Sequence, residues 1–223
     1  MGPEGYVTLW EDFLTDNVTN FVETVASSGA QDIHGAHGGW WGQVVGANDN
    51  DAAAIAGEVV WEVDEGQALT FETRLQIDDV SEASVFVGMS DANNDAVVIE
   101  NEDDALVATA TDCFGVLLEG EQDLTFTAVG VQNGGTAEED ALTGAVDAAD
   151  GITRVIRMVA TTADSGTVRY YIGTANEYGG GTHVATKTSW YRSGILYTPI
   201  LSLDARGTAV NSDYDYIYVS APR

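Results

Sequence analysis

Lysine is nearly missing from this chain: among 223 residues, Lys187 is the only one. Lys and Arg together number 8 against 36 Asp and Glu, which leaves a net charge of −28. A surface so short of positive charge repels nucleic acid and anionic membranes, because both are held through basic groups. It suits a salty medium, where screening shortens the reach of self-repulsion, and it is compatible with a basic protein partner. Cysteine is equally scarce. Cys113 stands alone, which excludes an intramolecular disulfide and a disulfide-stapled scaffold. Beside Phe114 it reads as a small buried hydrophobe. No apolar run approaches the roughly 20 residues needed to cross a bilayer. The N-terminus lacks a basic stretch followed by an apolar one, so no signal peptide is expected, and the chain is expected to be made in a cytoplasm and stay soluble. Amphipathic helices, heptads and repeats at solenoid periods are also missing.

What the chain does have is alternation. High net charge is one mark of disorder, but here 44 % of residues are hydrophobic and they are patterned. Leu69, Phe71, Thr73, Leu75 and Ile77 share one parity, and Thr70, Glu72, Arg74 and Gln76 the other. A strand sends alternate side chains to opposite faces, so this stretch has one apolar and one wet face. Asp78 to Glu82 is polar and too short for a helix. Ala83, Val85, Val87 and Met89 then share a second apolar face. The pattern predicts a hairpin over Leu69 to Ser90. A second hairpin is predicted over Ile152–Thr161 and Thr167–Gly173, turning at Asp164-Ser165-Gly166. Cys113 to Leu118 is a continuous apolar run with a central glycine, as in a strand deep in a sheet. Tyr6 to Leu14 reads as an edge strand, Gln31 to Gly42 as a glycine-rich loop entering a strand at Trp40 and Trp41, and Gln132 to Asp150 as a surface excursion. Turn signals recur every eight to twelve residues or so. The expectation is one all-β domain over 1–223, about a dozen strands in a two-sheet antiparallel sandwich without substantial helix, with an N-terminal arm at 1–10.

The order of these motifs resembles the concanavalin A-like (laminin G-like) jelly roll in the form carried by structural proteins of tailed phages. The resemblance is carried by Trp10 to Leu14, by Gly39-Trp40-Trp41, and by Phe71 to Asp91 with its FVGMSDA ending. It continues through Phe114-Gly115-Val116, RVIRMVATTADSGTVRYYIG from Arg154 to Gly173, and YTPILSLDARG…YDYIYV from Tyr197 to Val219. It implies a jelly-roll sandwich and a non-enzymatic virion role, that of a decoration (cement) protein on the outer capsid surface. The partner would be the major capsid protein of the same virus, and a homo-trimer would match local three-fold positions of the shell. The alternative on the same fold is a carbohydrate-binding, lectin-like module of a head or tail fibre. Fold alone does not choose between them.

Candidate sites each have a plain counterpart. Glucanases of this fold use two glutamates and an aspartate on alternate strand positions, which sets an acid and a nucleophile roughly 5 Å apart. The near match, Glu62-Val63-Asp64-Glu65-Gly66-Gln67, puts Gly66 or Gln67 where the second glutamate belongs, so Glu62 and Asp64 read as solvent-face residues and no catalytic residue is assigned. His34 and His37, with His183 or Cys113, would be a zinc set; the plain reading is a solvated loop. Asp49, Asp51, Asp91 and Asp95 lie in oxygen-rich loops that suit a structural calcium ion, in a chain where acidic clusters also arise by chance; no other cofactor is expected. Trp10, Trp40, Trp41, Trp190, Tyr191 and Tyr197 offer aromatic faces for an interface or a sugar, against core packing as the common fate of large rings. The decoration role predicts saturable co-sedimentation of the purified protein with virus-like shells made without it, at a fixed ratio to capsid subunits. Absence of binding at both low and high salt overturns it.

Overall fold

Alternating side chains become two packed sheets in the computed structural model, which describes residues 6–14, 21–34, 39–49, 51–63, 68–102, 105–121, 123–142, 147–161, 166–177, 179 and 181–222. Among these residues every regular element is a strand: β1 (Tyr6–Glu11), β2 (Val22–Ala26), β3 (Gly29–His34), β4 (Trp40–Val45), β5 (Ala52–Ala56), β6 (Trp61–Glu62), β7 (Ala68–Ile77), β8 (Ala83–Ser90), β9 (Ile99–Glu102), β10 (Ala105–Ala108), β11 (Cys113–Glu119), β12 (Asp123–Val131), β13 (Glu138–Ala141), β14 (Arg154–Thr161), β15 (Thr167–Thr174), β16 (Thr182–Lys187), β17 (Leu196–Ala205) and β18 (Val210–Pro222). Sheet one runs β16-β15-β14-β7-β18-β4-β3, with β1 also paired to β18. Sheet two runs β13-β12-β11-β8-β17-β5-β2, with β6 also paired to β17. All pairings are antiparallel. The fold is the expected all-β jelly-roll sandwich.

The inward faces make the main core. Sheet one contributes Leu69, Phe71, Leu75, Ile156, Met158, Tyr170, Ile217 and Val219, and sheet two contributes Val85, Val87, Met89, Phe114, Val116, Leu201 and Leu203. Two amides tie the layers together: Gln31 Nε2 donates to the Ala54 carbonyl at 3.0 Å, and Gln43 Nε2 to the Leu201 carbonyl at 3.2 Å.

The strands over Leu69 to Ser90 form as expected, but they are not a hairpin. β7 pairs with β14 and β18, whereas β8 pairs with β11 and β17. The polar turn at Asp78 to Glu82 carries the chain from one sheet to the other. Alternation reports which face of a strand is buried and is silent about its neighbour. The β14–β15 hairpin does form, from Arg154↔Thr174 to Thr161↔Thr167; Asp164 and Ser165 of its turn lie outside the described residues. Gln31 to His34 belongs to strand β3 rather than to a loop. Residues 6–10, expected as part of an arm, are paired in register with β18, and residues 1–5 lie outside the described ones.

β8 is buried on both faces, and the reason is a second apolar cluster on the outer side of sheet two. There Phe86, Leu117, Val129, Val131, Cys113, Ile200, Ala54 and Ala56 pack beneath Val98, Ile99 and Ala110, with Leu106 and Ala108 against them. The two-stranded β9–β10 unit thus roofs this side of the sheet. Gly88 and Gly115 face each other across β8 and β11 and leave room for the Phe86 ring. A methyl group at Gly115 would lie 2.6 Å from Phe86 Cζ. Gly115→Ala is therefore expected to destabilise the fold by about 1–3 kcal/mol, opposite to the usual gain from replacing a strand glycine. Chemical denaturation checks the sign.

Candidate functional site

The roof over sheet two is tied down by charge. Arg206, with a side chain 5 % exposed, meets Glu119 through Nε–Oε1 at 3.0 Å and Nη2–Oε2 at 2.8 Å. It also meets Glu100 of β9 at 3.1 Å and Asp204 at 2.8 Å, with exposed Asp49 at 3.5 Å. Four carboxylates surround one guanidinium. Burial pushes the Asp204 carboxyl up to about 7; Arg206 opposes this, and Glu100 and Asp49 add to it. Sheet two consequently offers no open outer face at this cluster.

Two of the expected cation ligands are engaged elsewhere, Asp49 at the edge of the Arg206 cluster and Asp51 in a turn. Asp51 is buried and accepts from Ser28 Oγ at 2.5 Å, from the Ser28 and Asn48 backbone N–H groups, and from Asn48 Nδ2 at 3.0 Å. The Ser28 hydroxyl holds its carboxyl below the usual range. It closes a turn, as the short polar side chains of such segments do. Asp95 is raised by burial and by the neighbouring charge of Asp91. Among the described residues no group of three or more His, Cys, Asp or Glu side chains is placed to hold a metal ion. The zinc set is taken apart by topology. His34 is on β3 and His183 on β16, at opposite edges of sheet one. The His183 ring lies 2.9 Å from Thr186 Oγ1, and His37 lies outside the described residues. Cys113 is buried and its thiol is pushed up, chiefly by desolvation. Glu62 is exposed on β6, and Asp64 lies outside the described residues.

Most of the expected aromatic platform is core. Trp41, Trp190, Tyr191 and Tyr197 are buried. Trp41 donates its indole N–H to Gln31 Oε1 at 3.1 Å and packs on Phe13. Trp190 meets Tyr170 edge-on, and Tyr191 and Tyr197 flank Phe114. These rings cannot offer a face to a ligand. Two of the candidates reach the surface. Trp40 is half-buried with the Arg74 guanidinium 5.1 Å above its ring. Trp10 is 54 % exposed.

Trp10 stands on the outer face of sheet one because of β18. In its first half Val210 and Tyr214 enter the main core; in its second half Ile217, Val219 and Ala221 do, while Tyr216 is buried on the outer side. The switch occurs at a register shift between Tyr214 and Tyr216, a bulge that puts Asp215 outside the ladder. Tyr216 and Tyr218 are thereby turned outward beside Trp10. The Trp10 ring stacks on Tyr216 with centroids 4.9 Å apart and planes 11° apart, and Tyr218 meets it edge-on at 5.8 Å. The Tyr216 hydroxyl donates to Glu72 Oε1 at 2.6 Å. The platform is thus fixed from below before any ligand arrives.

Beside it runs a groove of about 410 Å³, lined by Tyr6, Thr8 and Trp10 of β1, Tyr218 and Ser220 of β18, Ala68, Thr70 and Glu72 of β7, Arg157 of β14, and Gly179. Aromatic faces are interleaved with hydroxyls from three neighbouring strands. Arg157 lies against Glu72 at 4.0 Å and over the Tyr171 ring. Among these residues only Trp10 was singled out from sequence. The signal for the others is the tyrosine alternation Tyr214, Tyr216, Tyr218, which reads as one face of one strand unless the bulge is known. A second hollow, about 350 Å³ beside Gln132, Thr136, Glu138 and Ser189, has Trp190 as its only ring, and that ring is buried.

No family model matches the sequence, and no curated protein matches it. Solved structures do match in fold. The Emp47p carbohydrate recognition domain superposes with a TM-score of 0.65 at 9 % identity, covering 98 % of both chains. Lectin UEA-II complexed with galactose gives 0.60 at 8 % identity, covering 97 % of this chain and 99 % of the lectin. A protein of unknown function from Shewanella oneidensis MR-1 gives 0.56 at 11 % identity, covering 98 % of this chain and 87 % of that one. At these identities the likeness establishes the jelly-roll fold and nothing further.

The Asp204 carboxyl makes the fold sensitive to pH. Its ordinary value is 3.8 and its folded value about 7, so the folded state holds a proton that the unfolded chain releases between those limits. This contribution is fully present below about pH 4 and is lost as pH rises through about 7. Thermal unfolding is expected to show the midpoint falling from about pH 6 to about pH 8, with a shallower fall in Asp204→Asn. Equal slopes in the two proteins would refute the assignment.

Proposed function

We propose that the protein is a non-enzymatic carbohydrate-binding module whose ligand lies in the groove on the outer face of sheet one. The observation that carries this reading is the Trp10 ring, exposed on one side and stacked on Tyr216 on the other, beside Thr8, Thr70 and Ser220. A sugar ring has apolar C–H faces and a polar rim. It is matched by an aromatic plane with hydroxyl groups at its edge, and a ring held rigid beforehand loses little conformational freedom on binding. Such mostly preformed concave sites with a few placed polar groups are the usual form of small-molecule sites. Two of the similar folds are themselves named for sugar recognition, the Emp47p domain and the lectin with galactose, which supports the same reading. The capsid role, its trimer and its location on a virion rest on motif order and acidity alone, and no feature of the groove requires them.

Affinity electrophoresis through gels cast with soluble polysaccharides tests the proposal. The wild-type protein is expected to be retarded by at least one of them. Trp10→Ala is expected to bind about tenfold more weakly, the scale of one lost aromatic contact, with unchanged far-ultraviolet circular dichroism because the ring is outside the core. Trp40→Ala, away from the groove, is expected to bind normally. Retardation unaffected by Trp10→Ala overturns the site.

A further inference from the structure

The charges around the groove say what kind of saccharide fits it. This inference rests on the carbohydrate reading above and goes on to the class of ligand. In a chain of net charge −28, the groove lining contains, among the described residues, one acid and one base, Glu72 and Arg157. Neither is presented as a free charge. The Glu72 side chain is 5 % exposed, and its Oε1 accepts from the Tyr216 hydroxyl at 2.6 Å and from the Gly179 N–H at 3.1 Å. Arg157 donates to the Gly179 carbonyl at 2.5 Å, lies over Tyr171, and faces Glu72. A cationic polymer therefore finds no open carboxylate among the described residues of the groove. An anionic polymer is repelled by the rest of the surface and meets an arginine that already faces Glu72 and donates to the Gly179 carbonyl. The chemistry left to make contacts is aromatic and hydroxylic.

The spacing along β1 sets the length. Tyr6, Thr8 and Trp10 face the groove from one side of the strand. Tyr6 and Trp10, four residues apart, are separated by about 13 Å at the rise of an extended strand. Both rings are substantially exposed, 47 % and 54 %. The Thr8 hydroxyl lies between them on β1, with Ser220 opposite on β18 and Thr70 beyond it on β7. This row of aromatic, hydroxyl and aromatic is longer than a single sugar. Flat stacking on Trp10 requires a ring whose substituents lie around the rim, so that its C–H faces stay bare.

We infer that the groove takes an extended segment of a neutral polysaccharide built from equatorially substituted pyranoses, of gluco or xylo configuration, running along β1 from Trp10 to Tyr6.

The test is isothermal titration calorimetry with cello- and xylo-oligosaccharides from dimer to hexamer, with oligogalacturonate and chitosan oligomers as charged controls, at about 0.05 M and about 1 M NaCl. The expected result is affinity that rises with chain length in at least one neutral series and is the same at both salt concentrations. Tyr6→Ala is expected to lose about tenfold for the hexamer and nothing for the dimer. Thr8→Val, which removes a surface hydroxyl and leaves packing in place, is expected to weaken the longer oligomers. Equal affinity for dimer and hexamer, or tighter salt-sensitive binding of a charged oligomer, overturns this inference and leaves the groove a saccharide site. No binding of any saccharide, neutral or charged, overturns the carbohydrate reading itself.

Discussion

Strand β18 lies inside sheet one, bonded to β7 along one side and to β4 and β1 along the other. Its register shift at Asp215 is the constraint on which the rest of that sheet depends. Without the extra residue, Tyr216 and Tyr218 would point into the sandwich and Ile217 and Val219 would point to water. With it, the core receives its aliphatic side chains and the outer face receives two tyrosines on which Trp10 can rest. The displaced Asp215 is held by Arg74 at 2.5 Å, and Arg74 in turn covers Trp40. Burial of Asp215 raises its carboxyl and Arg74 opposes the rise. The bulge, the ion pair and the platform are one local solution to fitting this strand.

The shortage of positive charge explains where the existing bases lie. Arg206 is enclosed by carboxylates at the edge of the β9–β10 roof, Arg192 meets buried Asp112 at 2.6 Å, and Lys187 pairs with Asp140. Such cations neutralise acids that folding brings together. Removing one partner from a buried cluster of this kind costs about 3–5 kcal/mol, because the remaining charges are left unpaired. The surface then keeps nearly the whole excess of acid, and the groove on sheet one is distinguished by how few charges it shows.

The two outer faces of the sandwich have opposite fates. On sheet two the outward side carries an apolar cluster around Phe86, Leu117 and Ile200 that β9 and β10 close over to form a second core, and beside it the buried charges of Glu119, Asp204 and Arg206. On sheet one the outward residues around β1 are aromatic, hydroxylic or charged; Trp10, Tyr6 and Thr8 face solvent above the buried Tyr216 and Glu72. An asymmetry of this sort gives a rigid scaffold one open face. The position of that face is set by the neighbouring strands and not by a flexible loop, as a preorganised site requires.

Strand identity and parity were legible in the sequence. Alternation in 69–77 and 167–173 marked the core-facing side, and in 83–89 it marked the side facing the main core but not the second buried face; the all-β sandwich follows from these patterns and their turns, because the period of a strand is a local property. Pairing was not legible. The 69–90 segment reads as a hairpin and is a crossing between sheets, since a short polar turn serves both geometries. The aromatic candidates divided by the same logic: Trp41, Trp190, Tyr191 and Tyr197 fill the interior, while Trp10 is left outside by its pairing with Tyr218. Sequence alone determined that this chain is an acidic sandwich with strands of known faces. Only the tertiary structure decided which tyrosines meet Trp10, because one extra residue in β18 reverses every face after it, and a bulge is defined by the partner strand, not by the residues that form it.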